Sequence, residues 1–172
     1  MGQGAELVEI PGPTPQWRAD VARVMGQCAD YYRAVHGKPS TEQDVDDFFH
    51  DGAPGLPPGS ERRYAIRAGG AIVGLAHLAL GWKRPGQSLI GLLLVAAESR
   101  GRGYARAAGE ALEAVARATP HGTSLRIGIV ETNAGAFGFW RRLGFTEIGE
   151  RHRVEGFAGE VVILEKSLAR GP

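Results

Sequence analysis

Between Leu89 and Val130 the chain reads as an apolar strand, a glycine-rich turn, an alanine-rich helix and a second apolar strand, an order that few folds can satisfy. The run Leu89 to Ala97 is almost wholly apolar, as expected of a central strand covered on both faces. Arg100 to Ala105, Arg-Gly-Arg-Gly-Tyr-Ala, then turns the chain into a helical stretch from Arg106 to Thr119. One side of that helix carries Ala105, Ala108, Ala111, Leu112, Val115 and Ala116, while Arg106, Glu110, Glu113 and Arg117 fall elsewhere, so small side chains let it sit close on a sheet. Ser124 to Val130 follows, and a right-handed helical crossover makes it parallel to the first strand.

The flanking segments add strands and two helical regions. Ala5 to Ile10 reads as a first strand, stopped by Pro11-Gly12-Pro13. From Gln16 to His36 the positions Trp17, Val21, Val24, Met25, Cys28, Tyr32 and Val35 recur at helical spacing up to Gly37, which predicts one continuous helix. Ser40 with Gln43 has the form of a capping box opening a short helix to about His50, followed by a Gly/Pro-rich loop from Asp51 to Gly59. Arg63–Ala68 and Ala71–Leu80, split by Gly69-Gly70, read as an antiparallel hairpin, and the Pro85-Gly86 turn leads into the strand Ser88 to Ala96. Asn133 is positioned to cap a further helix that Gly144 ends, and Thr146–Arg151 and Glu160–Leu168 complete the sheet as a pair. Ala169 to Pro172 is expected to fray.

At 172 residues the chain suits one globular domain over 1–172. A formal charge of +1, with arginines scattered along the sequence, provides no footprint for nucleic acid. The lone Cys28 forms neither an internal disulfide nor a metal site, so no metal is expected and the cysteine usage suits a reducing cytosol. No leader-like segment precedes the first strand and no run reaches the roughly 18 apolar residues of a membrane span, which gives a soluble, cytoplasmic expectation without a membrane partner.

A glycine-rich entry to a helix is a phosphate cradle, because the first-turn N–H groups lack intrahelical acceptors and the helix dipole favours an anion there. The loop is not a Walker sequence, since Tyr104 and Ala105 follow Gly103 where Lys and Ser or Thr are needed. Nor is it a dinucleotide fingerprint, which would need a small residue at Arg106 and a strand near the start of the fold. Arg100, Gly103 and Ala105 do fill an Arg/Gln-x-x-Gly-x-Gly/Ala pattern, preceded by Leu93-Leu94-Val95. Downstream, strand Leu125 to Val130 is followed by Asn133, Ala136, Phe139-Trp140 and Leu143-Gly144-Phe145. In these elements, over roughly Ala71 to Glu150, the chain resembles the GNAT superfamily of acyl-CoA-dependent N-acetyltransferases.

The resemblance implies a mixed, mostly antiparallel sheet of about seven strands with flanking helices and a central pair of parallel, splayed strands. It implies acetyl-CoA as acyl donor. Backbone amides of Arg100, Gly101, Arg102, Gly103, Tyr104 and Ala105 would bind the pyrophosphate, and Leu93, Leu94 and Val95 would pair with the pantetheine arm. Asn133, Phe139 and Trp140 match cofactor-contacting positions. Trp140 stands where many members carry a tyrosine acting as general acid, and an indole is no proton source. The strand Leu89 to Val95 also lacks the carboxylate that members often place there. Since an amine of pKa near 10.4 is only about one part in 10³ neutral at pH 7, a base or water relay is expected, and Glu131 and His77 are the candidates.

Acceptor contacts in such a fold come from the first helices and the turn before the central strand, so Tyr31, Tyr32 and Trp82 are candidate walls. The acids Glu42, Asp44, Asp46, Asp47 and Asp51 favour a small cationic amine. A protein N-terminus or lysine is the alternative acceptor, and an acyl-CoA-binding module that has lost its chemistry is the alternative function. Exposed edge strands leave room for a homodimer.

Overall fold

The computed structural model describes residues 4–168. Its elements, in order, are β1 (Glu6–Glu9), α1 (Pro15–Gly26), α2 (Ala29–His36), α3 (Glu42–His50), β2 (Glu61–Ala68), β3 (Ala71–Leu80), β4 (Gln87–Val95), α4 (Tyr104–Arg117), β5 (Ser124–Val130), α5 (Gly135–Arg142), β6 (Thr146–His152) and β7 (Val161–Ser167). The expected tail at Ala169–Pro172 lies outside the described residues.

The strands form one seven-stranded sheet in the order β1-β2-β3-β4-β5-β7-β6, with β4 and β5 its parallel pair. That pair is short. Gln87–Ile90 align with Ser124–Ile127, and beyond Ile90 and Ile127 the two strands part. β4 remains paired with β3 up to Val95, and β5 with β7 up to Val130, so a wedge opens between two well-held half-sheets. On β4 the register skips Gly91, because His77 faces Leu92 while Leu78 faces Ile90. A Cβ on Gly91 would stand 2.3 Å from His77 Nδ1, so the bulge needs glycine to admit the imidazole.

One sheet face carries α4 and α5. Leu112 and Ala116 of α4 and Trp140 of α5 pack with Leu78, Ile90, Leu125, Ile127 and Leu164. The other face carries α1 and α3, where Val21, Val24, Met25, Val45, Phe48 and Phe49 cover Ala65, Leu75 and Leu94. α2 places Val35 over Val130, Val161 and Ile163, bridging the wedge on that side. No helix among the described residues is long and apolar enough to cross a membrane.

Two expectations about helices need correction. The continuous helix from Gln16 to His36 is broken at Gln27–Cys28 into α1 and α2. Ala97 N–H donates to the Gln27 carbonyl at 3.1 Å, the Gln27 amide reaches Glu98 at 3.2 Å and Cys28 Sγ reaches the Val95 carbonyl at 3.5 Å. The end of β4 therefore pins the break, and the apolar spacing survives it because both segments bury the same side. The capping box of α3 is Thr41 with Asp44, not Ser40 with Gln43: Asp44 Oδ2 accepts from Thr41 N–H at 2.6 Å and from its hydroxyl at 2.9 Å. A carboxylate also suits the positive helix end, which an amide does not.

Candidate active site

The wedge between β4 and β5 opens into a cavity of about 800 Å³. Every β4 residue from Leu89 to Val95 lines it, so at about 3.3 Å per residue it runs some 20 Å along the strand. Its two ends differ in chemistry.

At the C-terminal end of β4 the wall is Val95, Arg100, Ala105, Val130, Asn133 and the start of α5. Gly101 (φ 76°) and Gly103 (φ 81°) take left-handed backbone, and nothing lies within 4 Å of where their Cβ atoms would be. That leaves the loop face open. Gly103 is also the N-cap of α4 and offers no capping side chain, so the first N–H groups of a fourteen-residue helix stay available to an anion. Arg100 is used structurally: its guanidinium pairs with Asp30 of α2, and its Nε donates to the Val95 carbonyl at 2.9 Å. The Arg100 hydrogen bond holds the Asp30 carboxyl below the usual range.

Away from that loop the wall comprises Trp82, Lys83, Arg126, His152, Val154 and Phe157, with Tyr31 of α2 packed towards Val35 and Val130. Arg126 is 4% exposed and donates to Glu165 at 3.1 Å and to Glu150 at 2.5 Å, with its guanidinium carbon 6.0 Å from the Trp82 ring centre. Glu150 Oε1 also meets His152 Nε2 at 2.5 Å and Lys83 Nζ at 3.4 Å. Hydrogen bonds from Arg126 and His152 pull the Glu150 carboxyl down to about 2, so it is an anion at neutral pH. Burial pushes the Tyr31 hydroxyl up to about 12, which keeps it protonated.

Of the residues singled out from sequence, Leu93, Leu94, Val95, Arg100, Ala105, Asn133, Phe139, Trp140, Tyr31 and Trp82 meet around this cavity. Gly101, Arg102 and Gly103 are exposed on the loop, and Tyr104 packs against Ala108 and Val95. Asn133 does not cap α5 through its side chain; the N-cap is Ala134, and Asn133 contributes its carbonyl to Ala136 N–H at 3.1 Å. Trp140 is buried, edge-on to Phe139 and Phe145 at 5.0 and 5.1 Å. Tyr32 belongs to the core with Val24, Cys28 and Val45 and does not reach the cavity.

Neither candidate base lines the cavity. His77 Nε2 is bonded to Glu61, and burial lowers its pKa. Glu131 turns to Arg151 at 3.4 Å and to the Glu160 N–H at 3.0 Å. The acidic residues of α3 are engaged locally: Arg18 meets Asp46 at 2.8 Å and Glu42 at 3.5 Å, and Gln43 donates to Asp47. Sequence reasoning missed Arg126, His152, Lys83 and Phe157. One signal was present, since Arg126 is the single charged residue within the strand Ser124–Val130.

The model of the acetyltransferase (GNAT) family matches residues 25–145. No curated protein matches the chain. Among solved structures, an acetyltransferase from Thermus thermophilus superposes with a TM-score of 0.74 at 21% identity, covering 98% of this chain and 100% of that one. Spermidine N-acetyltransferase from Vibrio cholerae, in complex with CoA and spermine, gives 0.68 at 14% identity and 95% coverage of both chains. The ribosomal-protein-S18-alanine N-acetyltransferase from Escherichia coli gives 0.64 at 12% identity, covering 98% of this chain and 96% of that one. At such identities these likenesses speak to the fold alone.

Proposed function

The chain belongs to the GNAT acetyltransferase family, and from that premise we propose that it transfers an acetyl group from acetyl-CoA to a primary amine within a ternary complex. The observation that carries this reading is the wedge that begins after Ile90 and Ile127 and ends at the uncapped, glycine-entered start of α4. That arrangement suits a long ligand with an anionic end. Its pyrophosphate would lie at the α4 entry, and the free edge of Leu92 to Val95 would accept amide hydrogen bonds from the arm. Bound there, acetyl-CoA supplies an electrophilic thioester carbonyl and a thiolate leaving group.

The remaining chemistry falls to groups on the cavity wall. Among the described residues, the titratable side chains lining it are Asp30, Tyr31, Lys83, Arg100, Arg126 and His152. Asp30 is tied to Arg100, and Tyr31 stays protonated. His152 is thus the group suited to take the amine proton. With Nε2–H donated to the Glu150 anion, Nδ1 carries the free lone pair. Trp140 makes no proton donor, and a thiol of reference pKa about 8.5 leaves without one. We read the acceptor as a small molecule, because the wall around the amine end is built from side chains of α2, the β3–β4 turn and the β6–β7 connection.

Thermal unfolding with acetyl-CoA, CoA and ATP tests the donor site. Both CoA species should raise the midpoint and ATP should not. No rise with CoA at millimolar concentration would mean that the glycine loop is only a helix entry. Binding without thiol release for any amine would leave the protein as an acyl-CoA-binding module.

A further inference from the structure

At the amine end of the cavity the wall is cationic and aromatic, not acidic. Lys83 and Arg126 line it beside His152, and the sole carboxylate among the described lining residues, Asp30, is already paired with Arg100. Behind the wall, Lys83, Arg84 and Arg126 pair with Glu150 and Glu165: three permanent cations against two anions. Both carboxylates are already engaged by these groups. A polycation would meet repulsion here.

Apolar surface lies alongside. Val154 (44% exposed) and Phe157 (36% exposed) are among the few large hydrophobic side chains open to solvent, and both line this cavity with Trp82 and Tyr31. Phe157 is held edge-on by His36 at 5.2 Å, and Trp82 lies beneath Arg126. The apolar and cationic surfaces therefore line one and the same cavity.

We propose that the acceptor is a small primary amine with an apolar body and a carboxylate, of which an aromatic or aliphatic α-amino acid is the simplest example. Its carboxylate would meet Lys83 and Arg126, while its apolar body would lie against Trp82, Phe157 and Tyr31. The proposal rests on the acetyl-transfer reading and deepens it. It replaces the cationic acceptor that the acids of α3 suggested, since those acids face Arg18 and their own helix. The chemistry is balanced: the amine nitrogen forms the amide bond, the C–S bond of the thioester breaks, and the amine proton goes to His152.

CoA thiol release with L-phenylalanine, phenethylamine and spermidine tests it, because the first two differ only in the carboxylate. Rates are compared per neutral amine. Phenylalanine should exceed phenethylamine by about tenfold in kcat/KM, as a charge-assisted contact warrants, and should exceed spermidine by more. Lys83, 56% exposed, is replaceable without disturbing the core. Lys83→Met should shrink the phenylalanine-to-phenethylamine ratio about threefold, and Lys83→Glu should shrink it further while improving spermidine. Equal or better turnover of phenethylamine or spermidine by the unaltered protein would overturn the inference, as would Lys83 variants that change all three acceptors alike. Calorimetry with acetyl-CoA separates the two readings. Absent binding sinks acetyl transfer and the acceptor assignment with it; binding with no carboxylated amine consumed sinks the acceptor assignment alone.

Discussion

At the scale of single residues, Arg126 shows how a buried charge can serve both the fold and the site. Its guanidinium holds Glu150 and Glu165 beside the cavity, so Arg126→Met leaves two carboxylates short of a partner and should cost about 2–4 kcal/mol in urea unfolding. The same contacts have a pH signature. Glu150 is lowered from 4.5 to about 2 by Arg126 and His152, so its contribution to stability is present above pH 4.5 and is lost as pH falls towards 2. Acid unfolding in that window should flatten in Arg126→Met, and an unchanged acid limb would refute the link. For His152, the expectation concerns rate. His152→Ala should lower kcat by about 10²-fold at pH 7 and recover towards the unaltered protein near pH 10, where far more of the amine is already neutral. A pH profile parallel to that of the unaltered protein would remove His152 from proton transfer. His77 and Glu131 were reasonable choices from residue type alone. Which way a strand side chain points, and whether a salt bridge already occupies it, depends on neighbours distant in sequence: Glu61 for His77, Arg151 for Glu131.

At the scale of elements, α4 and its entry loop were the most legible part of the chain, because local chemistry specifies them. Gly103 sits at φ 81° as the N-cap, where a side chain is strained however open the space, so Gly103→Ala should cost about 1 kcal/mol and weaken acetyl-CoA binding. Leu112→Ala, in contrast, empties a fully buried position beneath the sheet and should cost about 3 kcal/mol with acetyl-CoA affinity little changed. Denaturant midpoints and calorimetry on the two variants distinguish a loop that binds from a helix that merely packs. Equal losses of affinity in both would show that the loop acts only through overall stability. The break between α1 and α2 was illegible for a related reason. The apolar spacing runs through it, and only the Ala97 and Glu98 contacts, made across the fold, require the turn.

At the scale of the whole molecule, the sheet works as two half-sheets joined through four residue pairs of β4 and β5. A ligand that bridges the wedge at its open end would tie those halves together and bind only the folded chain. At 100 times its dissociation constant, acetyl-CoA should therefore stabilise the protein by about 2.7 kcal/mol, read as a shift in the urea midpoint. A smaller shift at proven saturation would mean that the unfolded or partly opened chain binds as well. The cavity's asymmetry belongs to this scale too. The glycine loop at the start of α4 comes from one continuous segment, Val95 to Ala105, whereas the wall proposed to face the amine is assembled from α2, the β3–β4 turn, β5, β6 and the β6–β7 connection.

That contrast marks the boundary between sequence and tertiary structure in this protein. Strand, glycine turn, helix and parallel strand are dictated by hydrophobic period, by the positive-φ requirement of two glycines and by crossover handedness, all of which act over short stretches of chain. From them the fold class and the family could be read, together with the glycine-entered start of α4 that the proposed function uses. The wall proposed to face the amine was decided only in three dimensions, because Lys83 and Arg126 lie far along the chain from each other and from the Glu150 and His152 pair of β6. β7 must first insert between β5 and β6 before their charges can meet.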